Sequence, residues 1–292
     1  MKCIILAGGS GTRLYPLTKG VSKQLLPIYS KPMIYYPLSI AMLGGSREVL
    51  VITTPHDNAS FRRLLDDGSS YGIKISYAIQ EKPEGLAQSF LIAEKCGFLS
   101  AGEPCELILG DNIFHCSGLT EKLKEAAYSA EQGMTTLFGI KVSDPCRYGI
   151  VEIGEDGIAK SIEEKPSEPK SDICVTGLYF YPGNILDVVK QIKPSARGEL
   201  EITSVNQIYL SRKELYVERL AKGDVWLDTG TYSSLSEASS FVEAIENRSG
   251  NMICCPEEIG YNNGWIDRES IVNTANEMKN SEYGKYLLSL LD

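Results

Sequence analysis

The chain has 292 residues, 43% of them hydrophobic and 23% charged, and a formal net charge of −9. That length suffices for one large α/β domain or two modest ones with a sizeable core. The acidic balance argues against non-specific nucleic-acid binding, which needs cations to neutralise backbone phosphates. No apolar run approaches the roughly 18 residues of a membrane span, and "CIILA" is too short and runs into glycines too soon to be a secretion signal. The expectation is a cytoplasmic chain with neither nucleic acid nor membrane as partner.

The first half alternates strand and helix signals. "KCIILA" (2–7) reads as a strand, "PMIYYPLSIAML" (32–43) as a helix beginning near a proline, and "EVLVITT" (48–54) as a second strand. "ASFRRLLDDG" (59–68) reads as a helix closed by Gly68, and "IKISYAIQ" (73–80) alternates as a strand does. In "GLAQSFLIAEKCGFL", Leu86, Phe90, Ala93 and Gly97 recur at helical spacing; in "GLTEKLKEAAYSA" (118–130), Leu119, Leu123, Ala126 and Ala130 do the same. "CELILGDN" (105–112) and "MTTLFGIKV" (134–142) are apolar strands. Strands separated by helices imply a doubly wound, mostly parallel sheet, with ligands beyond the carboxyl ends of its strands.

The middle of the chain changes character. "GIVEIGEDGIAKSIEEKP" (149–166) reads as two strands around the turn dipeptide Asp156-Gly157, and "DICVTGLYFYP" (172–182) as another strand. Helical signals follow near 184–192 and 202–211. "YVERLAKGDVWLDTG" (216–230) returns to strand character, and the chain is helical from Tyr232 onward. Eight cysteines (Cys3, Cys96, Cys105, Cys116, Cys146, Cys174, Cys254, Cys255) contain no C-x-x-C pair, and only His56 and His115 could assist them, so no zinc site is expected. Most lie in apolar stretches and read as small buried hydrophobes.

Two features carry chemistry. Gly8, Gly9 and Gly11 follow the first strand, with Arg13 just beyond; glycines let backbone approach an anion, and Arg13 adds a fixed donor fork. The loop lacks the Gly-Lys-Ser/Thr of a Walker A motif, and Leu14 stands where a dinucleotide fingerprint needs its third glycine. Alone, such a loop could equally be a tight strand-to-helix turn. Phosphoryl transfer also needs positive charge to offset the transition state, usually a divalent cation on carboxylates. Asp111, ending "CELILGD", and Asp228, ending "DVWLD", are strand-end acids suited to that task; each could instead cap or start a turn.

The longer string is more specific. Gly11-Thr12-Arg13-Leu14, then Pro16, Thr18 and "SKQLLP" (22–27), resembles the signature of sugar nucleotidylyltransferases, in a form similar to that of the glucose-1-phosphate thymidylyltransferases. "LGDN", "QEKPEGLAQSF", "RYGIVE", "EEKP", "VTGLYFY" and "RGELEIT" are similar to further segments of that family, so the resemblance covers nearly the whole chain. It implies a Rossmann-like nucleotidyltransferase core over 1–230 with a sugar-binding β subregion. A helical C-terminal region, 231–292, would serve subunit contacts and regulation in a homotetramer.

The implied reaction joins dTTP to glucose 1-phosphate with release of pyrophosphate. By the same resemblance, Gly8, Gly9, Gly11, Thr12 and Arg13 hold the triphosphate. Lys23 offsets charge near the α-phosphate, and Gln24, Gln80 (hydrogen-bonded to the pyrimidine edge), Pro83 and Gly85 complete the nucleotide subsite. Asp111 and Asp228 would hold Mg²⁺. Tyr148, Gly149, Glu164, Lys165, Val175 and Arg197 would surround the sugar phosphate, with Thr176 and Gly177 close by and no firm role for Glu199 or Glu201. Arg13, Lys23 and Asp111 form the catalytic set.

The family's second nucleotide site, used in feedback, would lie near 246–267. Here His115-Cys116-Ser117 replaces the usual Tyr-Gly-His after "DNIF". A UTP-preferring uridylyltransferase and a non-catalytic nucleotide-sugar sensor stand as alternatives; a nicotinamide dehydrogenase is disfavoured by the missing glycine.

Overall fold

The computed structural model describes residues 1–9 and 11–292; Ser10, in the middle of the glycine loop, lies outside the described residues. In chain order the elements are β1 Lys2–Ala7, β2 Pro27–Ile28, β3 Lys31–Pro32, α1 Tyr35–Leu43, β4 Glu48–Thr53, α2 Asn58–Leu65, β5 Lys74–Ile79, α3 Gln88–Lys95, β6 Cys105–Leu109, β7 Asn112–His115, α4 Leu119–Glu131 and β8 Thr135–Lys141. Then come β9 Gly149–Ile153, β10 Ala159–Glu164, β11 Ile173–Tyr181, α5 Ile185–Val189, α6 Ile202–Arg212, β12 Leu215–Arg219, β13 Val225–Asp228, α7 Tyr232–Ser249, α8 Pro256–Asn262, α9 Arg268–Glu277 and α10 Glu282–Ser289.

Strands β6, β1, β4 and β5 lie side by side and parallel. The first three read as nearly unbroken apolar runs because helices cover both of their faces, while β5, at the sheet edge, alternates. Successive residues of β1 serve opposite layers: Cys3, Ile5 and Ala7 pack with α1, α4 and the C-terminal helices, while Ile4 and Leu6 pack with α3, α5 and α6. This is the expected doubly wound α/β sheet. Its antiparallel pairs all involve β9 or β11.

Strand β11 gives the sheet its shape. One edge pairs with β8; the other pairs with β6 through Leu178–Tyr181 but with β9 at Cys174. The sheet therefore forks, with the parallel strands on one arm and the β9–β10 hairpin on the other. A register irregularity between Val175 and Tyr179 marks the fork. Separately, β13 pairs antiparallel with β7, setting Asp228 opposite Asn112.

Several boundaries differ from the sequence reading. Helix α2 ends at Leu65 because Asp66 turns to φ 47°; Gly68, at φ 83°, opens the next turn rather than closing the helix. Leu86 and Gly97 fall outside α3, whose buried positions are Ser89, Phe90 and Ala93. Residues 216–230 form two strands in different sheets, β12 beside β8 and β13 beside β7. By contrast, Leu119, Leu123, Ala126 and Ala130 are the buried face of α4. Of the cysteines, Cys3, Cys105, Cys174 and Cys255 are buried, Cys96 and Cys146 exposed, and all eight are free.

The C-terminal helices share the main core: Ile271, Ala275 and Leu287 pack in one cluster with Ile5 and Leu38. Helix α7 starts on a Thr231–Ser234 capping box and ends at Gly250, φ 72°. Near that end Glu246 accepts Lys31 Nζ at 2.7 Å and the Ile253 amide at 2.9 Å. A buried ion pair thereby fastens the β2–β3 hairpin to α7, where loss of either partner would strand the other charge. Among the described residues no helix is long and apolar enough to cross a membrane.

Glu106 is a buried carboxyl in the centre of the sheet, flanked by Cys3 on β1 and Phe180 on β11. Ser46 Oγ donates to its Oε2 at 3.1 Å, while Oε1 has no partner among the described residues. Burial pushes its pKa up from 4.5 to about 7, against the hydrogen bonds from Ser46 and Cys3. The native state then holds this proton at pH values where the unfolded chain has lost it, so Glu106's contribution to stability is full below pH 4.5 and is lost as pH rises through about 7. Glu106→Gln should remove this slope: in urea titrations, the stability of wild type minus variant should fall across that window. A difference independent of pH would contradict the assignment.

Candidate active site

The glycine loop leaves the end of β1 in the cleft at the carboxyl ends of the parallel strands. Gly11 takes φ 60° and its carbonyl accepts Thr18 Oγ1 at 2.7 Å, closing the loop on itself. Thr12–Leu14 form a tight turn that buries Leu14 and leaves Thr12 and Arg13 exposed. Farther along, Tyr232 OH donates to the Tyr15 carbonyl, tying the loop to the start of α7. A Cβ at Gly8 would meet Gln80 Oε1, the end of a side chain itself hydrogen-bonded to Gln88, so that side chain would have to shift.

"SKQLLP" folds as a second tight turn, with Lys23 and Gln24 buried. Gln24 Oε1 accepts Ser22 Oγ at 2.7 Å, and Gly110 packs against the Gln24 side chain. Lys23 points inward and forms a 2.5 Å ion pair with Asp111 Oδ2. Asp111 follows β6, and its other oxygen accepts Asn112 Nδ2 at 2.9 Å. The β7–β13 ladder then brings Asp228 alongside, where Thr229 Oγ1 donates to the Asp111 carbonyl at 3.1 Å. Burial raises the Asp228 pKa and the Asp111 carboxylate adds to the rise, while Arg147 and Lys23 oppose it. Two acids from distant parts of the sequence thus meet beside one buried lysine.

These two carboxylates fit a divalent cation. They repel each other, and an oxygen-preferring cation such as Mg²⁺ commonly takes only one or two protein carboxylates, drawing its other ligands from water and phosphate. Among the described residues no group of three or more His, Cys, Asp or Glu side chains is gathered, so a closed all-protein metal cage is not the arrangement here.

The other arm of the fork carries a second group. Glu164 ends β10 opposite Gly149, and a Cβ at Gly149 would lie 3.3 Å from Glu164 Oε2. Glu164 accepts Thr203 Oγ1 at 2.9 Å and pairs with Lys165 Nζ at 3.0 Å. Lys165 itself takes φ 47°, a left-handed conformation unusual for a side chain this long. Arg197 pairs with Glu201 at 2.9 Å; the Glu201, Glu199 and Glu164 charges all favour its protonated form. Val175 is half-buried at the start of the fork, and Pro83 is exposed.

Other residues that complete the site sit inside the motif strings, where the sequence reading assigned them no role. Asn112 Oδ1 accepts both the Gly177 amide (2.9 Å) and Trp226 Nε1 (2.6 Å). Trp226 meets the Tyr148 ring edge-on, with centroids 5.5 Å apart, and the Arg147 guanidinium lies 5.5 Å from the same ring. Burial and then the Asp228 charge raise the Tyr148 pKa. Polarity within "RYG", "GDN" and "VWLD" was the available signal for Arg147, Asn112 and Trp226.

Such a sheet, with a glycine loop, a buried lysine and paired strand-end acids at one mouth, defines an enzyme that handles phosphate esters of nucleotides. The model of the nucleotidyl transferase family matches residues 2–245, and the chain belongs to that family. It is 56% identical over 291 residues to the glucose-1-phosphate thymidylyltransferase of Neisseria meningitidis, covering 100% of this chain and 99% of that one. Among solved structures it is similar to a Bacillus anthracis protein provisionally given the same enzyme name (TM-score 0.75, 36% identity, 82% of this chain and 94% of that one). It also matches a UDP-glucose pyrophosphorylase complexed with UDP-glucose (TM-score 0.71, 25% identity, 84% and 98% covered).

Gly85 joins the two arms. At φ 105° its missing Cβ would sit 2.6 Å from the Leu200 amide nitrogen, while Leu200 N donates to Glu84 O at 2.7 Å and Ala87 N to Leu200 O at 3.1 Å. Gly85→Ala should therefore destabilise the protein by about 2 kcal/mol or more through combined strain and collision, read as a shift in urea midpoint. A neutral Gly85→Ala would mean that this backbone clamp is dispensable.

Proposed function

We propose that this chain transfers dTMP from dTTP to α-D-glucose 1-phosphate, giving dTDP-glucose and pyrophosphate, as the first step toward dTDP-L-rhamnose or a related deoxysugar. The observation that carries this reading is the Lys23–Asp111 pair with Asp228 beside it, in a chain that aligns end to end with a named thymidylyltransferase. An oxygen of the sugar phosphate attacks the α-phosphorus of dTTP; that P–O bond forms as the bond to pyrophosphate breaks. The attacking oxygen is already ionised near neutral pH, so the enzyme aligns the reactants and stabilises charge rather than moving a proton.

The chain's own groups divide this work. Arg13, on the exposed turn after the glycines, meets the departing pyrophosphate. Lys23 offsets charge at the α-phosphate. Lys165 and Arg197 exchange their present carboxylate partners for the sugar phosphate, and Glu164 takes sugar hydroxyls. Mg²⁺ held by Asp111 and Asp228 would supply further neutralisation of the nucleotide phosphates. The C-terminal region, 231–292, serves subunit contacts in a cytoplasmic homotetramer. The family's regulatory site would adjoin the cavity of about 550 Å³ between His115, Cys116 and Met252.

Asp111→Asn and Asp228→Asn should each lower kcat by at least about a hundredfold with the melting temperature little changed, and Arg13→Ala should slow turnover by a similar factor. Full activity in either aspartate variant removes the metal assignment.

The match to UDP-glucose pyrophosphorylase favours one runner-up, a UTP-preferring enzyme. Pyrophosphate release measured across four nucleoside triphosphates and several sugar phosphates separates the readings. The expected result is highest kcat/KM with dTTP and glucose 1-phosphate. A higher value with UTP selects the runner-up, and release with none points to a sensor.

A further inference from the structure

We infer that Gln88 and Glu84 are positioning residues that fix which way the Gln80 amide faces, and so select nucleobases bearing an imino N–H. The inference rests on the reading of Gln80 as a base-recognition residue. Three side chains form one relay. Gln88 Nε2 donates to Glu84 Oε2 at 2.8 Å, and Gln80 Nε2 donates to Gln88 Oε1 at 2.6 Å. The Glu84 amide also donates to Gln88 Oε1, at 3.3 Å.

The direction of this relay follows from chemistry. An amide can be turned end for end without changing shape, but an ionised carboxylate only accepts. Glu84 therefore requires the NH₂ of Gln88, which turns the Gln88 carbonyl toward Gln80 and fixes which end of Gln80 carries its NH₂ by taking one of that group's two N–H donors. The Gln80 carbonyl is left facing Gly8, where the absence of a Cβ makes room for it. Among the described residues the Gln80 side chain makes its hydrogen bond through Nε2, and no donor meets its oxygen.

A carbonyl presented there accepts the N3–H of thymine or uracil. Cytosine has a lone pair at N3, and two acceptors facing each other repel. A glutamine free to flip would serve either base. Glu84, which lies shortly before α3 and outside the catalytic groups, thus acts as the anchor of base selection. Its position also links selection to the second arm, because the Glu84 carbonyl accepts the Leu200 amide.

The test measures kcat/KM for dTTP and dCTP, each with glucose 1-phosphate, in wild type, Gln88→Leu, Glu84→Ala and the double variant Glu84→Gln with Gln88→Glu. The double variant keeps the relay's direction. Its amide at position 84 donates to the carboxylate at position 88, and that carboxylate still accepts from Gln80. Gln88→Leu should reduce the dTTP:dCTP ratio about ten- to hundredfold, with Glu84→Ala shifting it the same way by less. The double variant should stay within about threefold of wild type. An unchanged ratio in Gln88→Leu, or a ratio lost equally in the double variant, overturns the inference while leaving the reaction in place. Wild type that releases no pyrophosphate from dTTP overturns the underlying reading and the inference with it.

Discussion

The site depends on one side-chain oxygen at the fork of the sheet. Asn112 Oδ1 accepts hydrogen bonds from Gly177 N on β11 and Trp226 Nε1 on β13. It thereby holds the β7–β13 ribbon against the point where β11 leaves β6 for β9. A side chain at Gly177 would fill this junction, with a Cβ 2.6 Å from Asn112 Oδ1. Three groups of the cleft are tied to that point. Asp111 precedes Asn112, Asp228 is its ladder partner, and Trp226 supports Tyr148 on the second arm. A buried acceptor satisfied twice is costly to disturb, which makes it a firm fixture for charged groups.

Electrostatics explain why such firmness is needed. Two carboxylates held near each other lose free energy unless cations join them; Lys23 pairs with Asp111, and the Arg147 charge favours the ionised form of Asp228. The ribbon keeps Asp228 near Asp111 despite this repulsion; burial first, and the Asp111 charge after it, raise the Asp228 pKa. The free protein therefore gathers two acids and two cations at one partly buried spot, where, on the proposed function, a metal–triphosphate would bind. Titratable groups shifted by burial and by neighbouring charges cluster at functional sites.

The strands were legible because parallel strands covered on both faces must be apolar throughout, as in "CIILA" and "VLVIT". Helix α4 was equally plain from its four buried positions. Ends were harder: Asp66 stops α2 where composition pointed to Gly68, because a left-handed turn at a polar residue leaves little trace in sequence. The fork itself was invisible, since β11 reads as one long strand whether it has one neighbour or two on an edge. In the site, Asp111 and Asp228 were marked by strand ends followed by turn formers. Asn112, which orients Asp111, and Arg147, whose charge favours ionised Asp228, were not, because polarity alone does not say what a side chain faces. Gln88 on α3 was hidden for the same reason.

The backbone bonds between Leu200 and residues 84–87 have a mechanical meaning. They stitch the segment expected to meet the base to the segment preceding α6, which carries Thr203 and lies close after Arg197. With two peptide groups shared, neither segment can swing outward alone. With the nucleotide and the sugar phosphate placed as proposed, occupation of one half of the cleft would stiffen the other, and the two substrates would share the entropic cost of ordering it. Affinity for the second reactant would then be partly a record of the first having bound, a form of cooperation within a single chain.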